Sequence, residues 1–260
     1  MEPEGVSVAG TYICPSCGTA LENGDALVCP ACDAVYPDNG GFYDFLGDEE
    51  PSNDGLVSLF DAVSRIYETP LWYPAGMRLA TGGRASADQL VERVAERVAE
   101  EGAEKVLDVA TGTGLFARRL ARDATVYGVD ASAEMLRRAV RNARRNGVTL
   151  ELARADAGAL PYADASFDAA TCTGALHLLP DPAEAVTEAG RAVRSGGALV
   201  VTTLVDGGVF RSRAAQRIAD LYGMKVFDAG ELDEVLDGAG FERVETRRDS
   251  SLVTVTARRR

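Results

Sequence analysis

Residues 105–120, KVLDVATGTGLFARRL, read as an apolar strand, a glycine turn and the start of a helix, a unit that few folds accommodate. Gly112 and Gly114 leave the backbone of the turn open to a ligand where side chains would block it. From residue 87 onward helical and strand periods alternate, which is the signature of an α/β domain with a mostly parallel sheet. The pattern places helices at 87–101, 115–122, 133–146 and 182–194, and strands at 105–110, 125–130, near 149–154, 168–173 and 198–204. The end of the chain differs in kind. FERVETRRDSSLVTVTARR holds two β-rich runs around Asp249, Ser250 and Ser251, so the sheet is expected to close in an antiparallel hairpin.

The glycines by themselves do not decide the ligand. Gly112 to Ala117 also satisfies the dinucleotide pattern G-x-G-x-x-A, and Asp130 follows Gly112 at 18 residues, near the ribose-binding acid of that motif. Asp108 argues otherwise. A carboxylate at the tip of the first strand would repel a pyrophosphate and attract the ammonium or sulfonium of S-adenosylmethionine. Asp130 ends the second strand, where it can accept hydrogen bonds from both ribose hydroxyls, and Asp156 ends the third, where it can accept from an adenine amino group beside the Ala157 N–H. Taken singly, a strand-end aspartate is often only a helix N-cap. Three in register with a glycine turn point to a site.

On these residues the stretch from 105 to about 204 resembles the class I S-adenosylmethionine-dependent methyltransferases, and among them the branch that includes the quinone-biosynthesis C-methyltransferases. DVATGTG resembles that family's D-x-G-x-G-x-G with Ala110 in place of the first glycine, and GVDASAEML resembles its ribose-binding segment. DAGALPYADASFDAATCTGALHLLPD resembles its adenine strand and fourth strand, AVRSGGALVVTT the approach to the fifth, and GELDEVLDGAGFERVE the last helix and sixth strand. The resemblance covers most of residues 87–258. It implies a Rossmann-like seven-stranded sheet, mostly parallel with a terminal antiparallel hairpin. It also implies a cofactor site made by Asp108, Ala110, Gly112, Gly114, Asp130, Ala131, Met135, Asp156, Ala157 and Thr173.

Four of the five cysteines fall in residues 10–46, a segment with too few large apolar residues for a core of its own. Cys14-Pro-Ser-Cys17 and Cys29-Pro-Ala-Cys32 are two C-x-x-C knuckles, the arrangement that presents four thiolates tetrahedrally to zinc. Two disulfides are one alternative, disfavoured in a reducing compartment, and iron in place of zinc is another. Four thiolates leave zinc no open position, so the expected role is structural, contributing on the order of 10 kcal/mol to folding of the segment. The expected organisation is a zinc ribbon at 10–46, a polar linker at 47–55, an aromatic lid or helical segment at 56–86 and a methyltransferase domain at 87–260. A ribbon before such a domain resembles bacterial ribosomal RNA guanine-N1 methyltransferases, where a histidine replaces the fourth cysteine. It resembles more closely a group of plant plastid and bacterial methyltransferase-like proteins, which share segments like PDNGGFYDFL and SLFDAVSRIYETPLWYPAGMR.

Charge bears on the acceptor. The net charge of −13 is concentrated at the start of the chain, where residues 1–64 hold twelve carboxylates and no Lys or Arg. A module that clamps RNA must neutralise phosphates, so a small-molecule acceptor is expected in preference to nucleic acid. An RNA methyltransferase and a non-catalytic cofactor-binding protein stay open as alternatives. No apolar run approaches the roughly 20 residues that span a bilayer, and MEPEGVSVAG lacks a signal-peptide pattern, so a cytoplasmic location is expected. Methyl transfer needs in-line placement more than acid or base. His177, the only histidine, follows the fourth strand and is the candidate base, with a structural loop histidine as the competing account. The arginines from Arg137 to Arg145 read as a solvated helix face, and Cys172 as core.

Overall fold

A computed structural model describes residues 11–47, 62, 67–69, 73–221 and 223–260. Phe60, Trp72 and nearly all of the expected linker lie outside the described residues. The N-terminal part holds a small antiparallel sheet of β1 (Glu22–Asn23), β2 (Ala26–Val28) and β3 (Val35–Pro37), followed by β4 (Tyr43–Asp44). Next come α1 (Tyr73–Ala80) and α2 (Ala87–Glu100), then β5 (Lys105–Val109), α3 (Leu115–Leu120), β6 (Thr125–Asp130), α4 (Ala133–Asn146), β7 (Glu151–Arg154) and β8 (Phe167–Thr173). The chain continues through α5 (Pro182–Ala192), β9 (Val193–Leu204), α6 (Arg213–Leu221), α7 (Ala229–Gly238), β10 (Phe241–Asp249) and β11 (Leu252–Arg259). Single helical turns sit at Leu176–Leu178 and Gly208–Arg211.

The large sheet has the order β10-β11-β9-β8-β5-β6-β7-β4. Six of its strands run parallel, and β10 and β11 form the expected antiparallel closure, turning at Ser250 with φ +65°. Val106, Leu107 and Val109 of β5 are buried because helices cover both faces of a parallel sheet. On α2, Leu90, Val91, Val94 and Val98 make the buried stripe that a helical period dictates, and Ser86 with Gln89 closes its N-terminus in a capping box. Arg137, Arg138 and Arg141 lie along α4 with their guanidinium groups within 3.9 Å of the Glu134 carboxylate, a surface charge cluster. The helix expected at 182–194 stops at Ala192, because Val193 pairs with Phe167 and begins β9 early. Helix α6 stands where the sequence pattern predicts no element.

The sheet has eight strands where seven are expected. The eighth is β4, which pairs in parallel with β7, Tyr43 opposite Ala153 and Asp44 opposite Arg154. The N-terminal segment also docks further back: Ile13 N–H donates to the Pro161 carbonyl at 3.0 Å, and Ala163 N–H donates to that of Thr11 at 3.0 Å. Tyr12 is 1% exposed, its ring within 6.0 Å of those of Tyr43, Phe45, Tyr127 and Tyr162. Tyr12, Cys14, Leu21, Leu27 and Cys29 belong to the same buried cluster as Leu107, Tyr127 and Phe167 of the large sheet. The segment lacks a core of its own and uses the sheet's.

The consequence is measurable. Tyr12→Ala should destabilise the α/β body itself, by about 3–5 kcal/mol, the range for deleting a buried aromatic ring. Denaturant unfolding followed by a probe in the large domain checks this, and an unchanged midpoint would mean that the N-terminal segment is merely appended.

Candidate functional site

The chain leaves β5 toward β6 and β7 on one side and returns to β8 on the other, so the strand order reverses beside β5. Open α/β sheets bind ligands in the crevice outside the carboxyl ends of the strands at such a point. A cavity lies there. Its wall is built by Ala110–Thr113, Leu115 and Phe116 after β5, Val129–Ser132 and Met135 at and after the end of β6, Ala155–Ala157 after β7, and Thr173–Ala175 with Leu178–Pro180 at and after the end of β8. Tyr67 and Tyr73, from before the α/β repeat, complete it.

The glycine turn is left-handed at Ala110 (φ +55°) as well as at Gly112 (φ +56°). Glycine adopts this conformation without penalty, whereas alanine pays about 1–2 kcal/mol for its Cβ. The turn is secured by Asp130: Oδ2 accepts from Gly112 N–H at 2.8 Å and Oδ1 from Ser132 N–H at 2.9 Å. Ser132 in turn caps α4 by accepting from Met135 N–H at 2.9 Å. Asp156 accepts from Gly158 N–H at 2.8 Å, which holds its carboxylate at the cavity wall.

Of the ten residues expected around a cofactor, Ala110, Gly112, Asp130, Ala131, Met135, Asp156, Ala157 and Thr173 line the cavity. Gly114 lies one residue behind the wall as the N-cap of α3. Asp108 is placed differently from the expectation. It is 1% exposed beneath the turn, accepting from Thr111 Oγ1 at 2.7 Å and Thr171 Oγ1 at 2.6 Å. Burial pushes its carboxyl up to about 6, with the two hydroxyls pulling the other way and Asp130 adding to the rise. Its side chain braces the turn from below because Asp108 and Thr171 are register partners on β5 and β8.

His177 sits in the helical turn after β8, 7% exposed and outside the lining residues. Burial holds its imidazole down to about 4, and its backbone carbonyl accepts from Lys225 N–H at 2.7 Å. Cys172 is buried in β8, its thiol pushed up to about 12 by burial. Among the described residues that line the cavity, Asp130 and Asp156 are the charged ones, and the rest of the wall is apolar, aromatic or hydroxylated.

Residue-by-residue reading missed how the aromatic segment is fastened. Tyr67 stacks on Tyr73 at 5.5 Å between ring centres, and Tyr73 meets Phe116 edge-on at 6.4 Å. Between them Glu68 accepts from Thr113 Oγ1 at 2.5 Å, from Arg118 at 2.8 and 3.1 Å and from Asn142 Nδ2 at 3.1 Å. One carboxylate thus ties the aromatic wall to the glycine turn and to α4. The aromatic composition of 56–86 signals a cover, but nothing in RIYETP singles out Glu68.

In the N-terminal segment Cys14, Cys17, Cys29 and Cys32 bring their sulfurs within 4.8 Å of one another. The separations of 3.6 Å (Cys14 to Cys32), 3.5 Å (Cys17 to Cys29) and 3.9 Å (Cys17 to Cys32) match the edge of about 3.8 Å of a tetrahedron with Zn–S near 2.3 Å. Two S–S bonds would need about 2.05 Å. The donor set therefore fits a tetrahedral soft-metal site. Tyr36 Oη lies 3.2 Å from Cys14 Sγ, in reach to donate to a thiolate.

Comparison with known proteins agrees with this geometry. Residues 107–201 match the family model described as a methyltransferase domain. An uncharacterized chloroplastic methyltransferase of Arabidopsis thaliana is 27% identical over 257 residues, covering 90% of this chain and 71% of that protein. The demethylmenaquinone methyltransferase of Deinococcus radiodurans is 31% identical over 164 residues, covering 60% of this chain and 63% of that protein. Magnesium protoporphyrin IX methyltransferase from Synechocystis, solved with bound S-adenosylhomocysteine, shares the fold with a TM-score of 0.63 at 19% identity, covering 78% of this chain and 95% of that one. Among the described residues no helix is long and apolar enough to cross a membrane.

The two perturbed groups carry a pH signature of opposite sign. Between pH 6.5 and 4 the unfolded chain takes up a proton on His177 that the fold refuses, so His177 costs stability as the pH falls through that window. Asp108 holds a proton in the fold up to about pH 6 and adds stability over nearly the same interval. His177→Gln removes the first effect and leaves the second. The variant's stability relative to wild type should therefore rise on acidification from pH 6.5 to 4, by on the order of 3 kcal/mol. Denaturant midpoints at several pH values check this, and a constant difference would show that His177 is charged in the fold.

Proposed function

We propose that this chain, whose residues 107–201 form an S-adenosylmethionine-dependent methyltransferase domain, methylates a small organic acceptor of apolar, aromatic character. The supporting observation is the wall of the cavity: beyond the acids at the ends of β6 and β7 it continues as Tyr67, Tyr73, Phe116, Leu178, Leu179 and Pro180. Such a surface desolvates a flat apolar molecule and offers phosphates no cation. The Tyr73 hydroxyl is buried without a hydrogen-bond partner among the described residues, a group suited to an acceptor oxygen.

In this reading the cofactor supplies a methyl group activated on a sulfonium. The chain's part is to bind, orient and exclude water. The Gly112 turn offers backbone without side chains. Asp130, whose carboxylate holds the Gly112 and Ser132 N–H groups, faces the cavity where the ribose hydroxyls would be bound. Asp156 and the Ala157 N–H serve the adenine, Met135 packs against it, and Ala110, Ala131 and Thr173 complete the pocket around the cofactor. Asp108 and Gly114 hold the turn from behind, and His177, buried as a neutral imidazole, has the structural role rather than that of a base. Glu68 keeps Tyr67 over the cavity.

Cys14, Cys17, Cys29 and Cys32 bind one structural zinc in the same proposal, supported by their tetrahedral spacing. RNA as acceptor is disfavoured by the twelve carboxylates and absent Lys and Arg of residues 1–64, to which four thiolates add negative charge.

Asp130→Ala should weaken S-adenosylhomocysteine binding by about 1–3 kcal/mol, since it unpairs ribose hydroxyls and releases Gly112 and Ser132. Calorimetry tests this; unchanged affinity, or tight binding of NAD in its place, would refute the cofactor assignment. Metal analysis of the purified chain should give one zinc per chain, and two disulfides by mass spectrometry would refute that. Methyl incorporation from labelled cofactor into a small-molecule extract, with none into ribosomal RNA, is the expected outcome for the acceptor; specific labelling of RNA would overturn it.

A further inference from the structure

The N-terminal module and the cofactor cavity meet at one arginine. Asp44 of β4, Arg154 of β7 and Asp130 of β6 are register partners across three adjacent strands. The Arg154 side chain spans both sides. Its guanidinium donates to the Ala131 carbonyl through Nε at 3.1 Å, to the Gly47 carbonyl at 2.7 Å and to the Asp44 carboxylate at 3.3 Å. Ala131 lies between Asp130 and Ser132, so the arginine grips the loop that shapes the glycine turn. The backbone of Arg154 is held in the same way: its carbonyl accepts from Phe45 N–H at 2.9 Å, and the next residue's N–H donates to the Asp130 carbonyl at 3.3 Å.

Asp44 is itself fixed from the N-terminal side. It is 8% exposed and accepts from Asn39 Nδ2 at 2.9 Å, Leu46 N–H at 3.1 Å and Gly47 N–H at 2.9 Å. The residue after it, Phe45, stacks on Tyr36 at 4.6 Å, and Tyr36 Oη reaches Cys14 Sγ at 3.2 Å. A carboxylate and a guanidinium this enclosed carry a geometric constraint that an exposed pair would not.

From this arrangement we infer that the cysteine module acts as a built-in support for the cofactor cavity, with Asp44 and Arg154 as positioning residues, so that metal binding at the four cysteines and cofactor binding strengthen each other. The inference rests on the zinc and cofactor readings proposed above. With the cysteines open, β4 loses the frame that holds Asp44, Arg154 loses its counter-charge, and the Ala131 carbonyl that it holds is released. Linkage then requires the reverse effect, of equal size, of cofactor on metal.

The test uses the full chain with S-adenosylhomocysteine and zinc as probes. Calorimetry is run on the zinc-loaded wild type, the chelator-stripped wild type, and zinc-loaded Asp44→Asn and Arg154→Gln. Asn at 44 keeps Oδ1 for the Leu46 and Gly47 N–H groups and replaces Oδ2, which accepts from Asn39 and Arg154, with an NH2 group, so the turn is retained while the tie to Arg154 is cut, and the variant stays informative if the stripped chain unfolds. Stripping and each variant should raise the dissociation constant of S-adenosylhomocysteine about tenfold, within the usual range of coupling between sites. Conversely, saturating S-adenosylhomocysteine should tighten zinc, measured by chelator competition, by about the same factor in wild type and by less than twofold in either variant. A purely structural role for the pair would lower stability without moving this reciprocal term. Equal S-adenosylhomocysteine affinity in the zinc-loaded wild type and both variants, or zinc affinity indifferent to S-adenosylhomocysteine in wild type, overturns the inference and leaves the cofactor reading intact. Failure of the zinc-loaded wild type to bind S-adenosylhomocysteine at all would refute the cofactor reading instead.

Discussion

A single carboxylate, Asp130, accepts from backbone N–H groups of two different loops, Gly112 after β5 and Ser132 after β6. The shape of the cavity depends on that pair of hydrogen bonds, which joins the loops that wall it. The left-handed turn at Ala110 and Gly112 is an unfavourable place for an alanine, and it persists because bonds on both sides over-determine it. Asp108 supports the turn from beneath with two threonine hydroxyls. Asp130 ties it to the next loop, and Glu68 ties Thr113 to the aromatic wall. Asp108, Asp130 and Glu68 thus have three separate mechanical roles.

The second organising constraint is the shared core. A segment of four thiols, short strands and few large apolar residues cannot bury enough surface to order itself. Tyr12, Leu21 and Leu27 solve this by packing on Tyr127, Tyr162 and Phe167, inside the apolar cluster of the parallel sheet. Lys105 marks the seam: its ammonium donates to Thr11 Oγ1 at 2.7 Å and lies 5.0 Å from the centre of the Tyr127 ring. A metal tetrahedron at the tip and an aromatic cluster at the base would then fix the two ends of the same segment.

Much of this was legible in the residues. β5, β6 and β8 announce themselves because strands buried on both faces must be apolar runs, and the hairpin because Asp249 to Ser251 separate two β-rich runs. β4 was not legible. Two residues in GGFYDFLG carry no period, and they become a strand only because β7 offers an open edge. The direction of Asp108 was equally hidden, since it depends on which residue of β8 stands beside it. His177 follows β8 as expected, yet a single helical turn carries the imidazole inward, and a rotation of that size leaves no trace in spacing. Glu68 and Arg154 act across 50 and 110 residues of sequence, where no local pattern reaches.

The two-residue strand β4 has a further consequence for the outer rim of the sheet. Without it β7 would present a row of unsatisfied backbone donors and acceptors, a template on which another chain could add a strand. At the opposite rim β10 protects itself by composition, with Glu242, Arg243, Glu245, Arg247 and Arg248 along a largely exposed strand. The molecule therefore guards its two rims by different means, one by charge written into the strand and one by a cover contributed from elsewhere in the chain. Any change that loosens the N-terminal module exposes the unguarded rim first, and self-association through β7 becomes the route by which such a protein leaves solution.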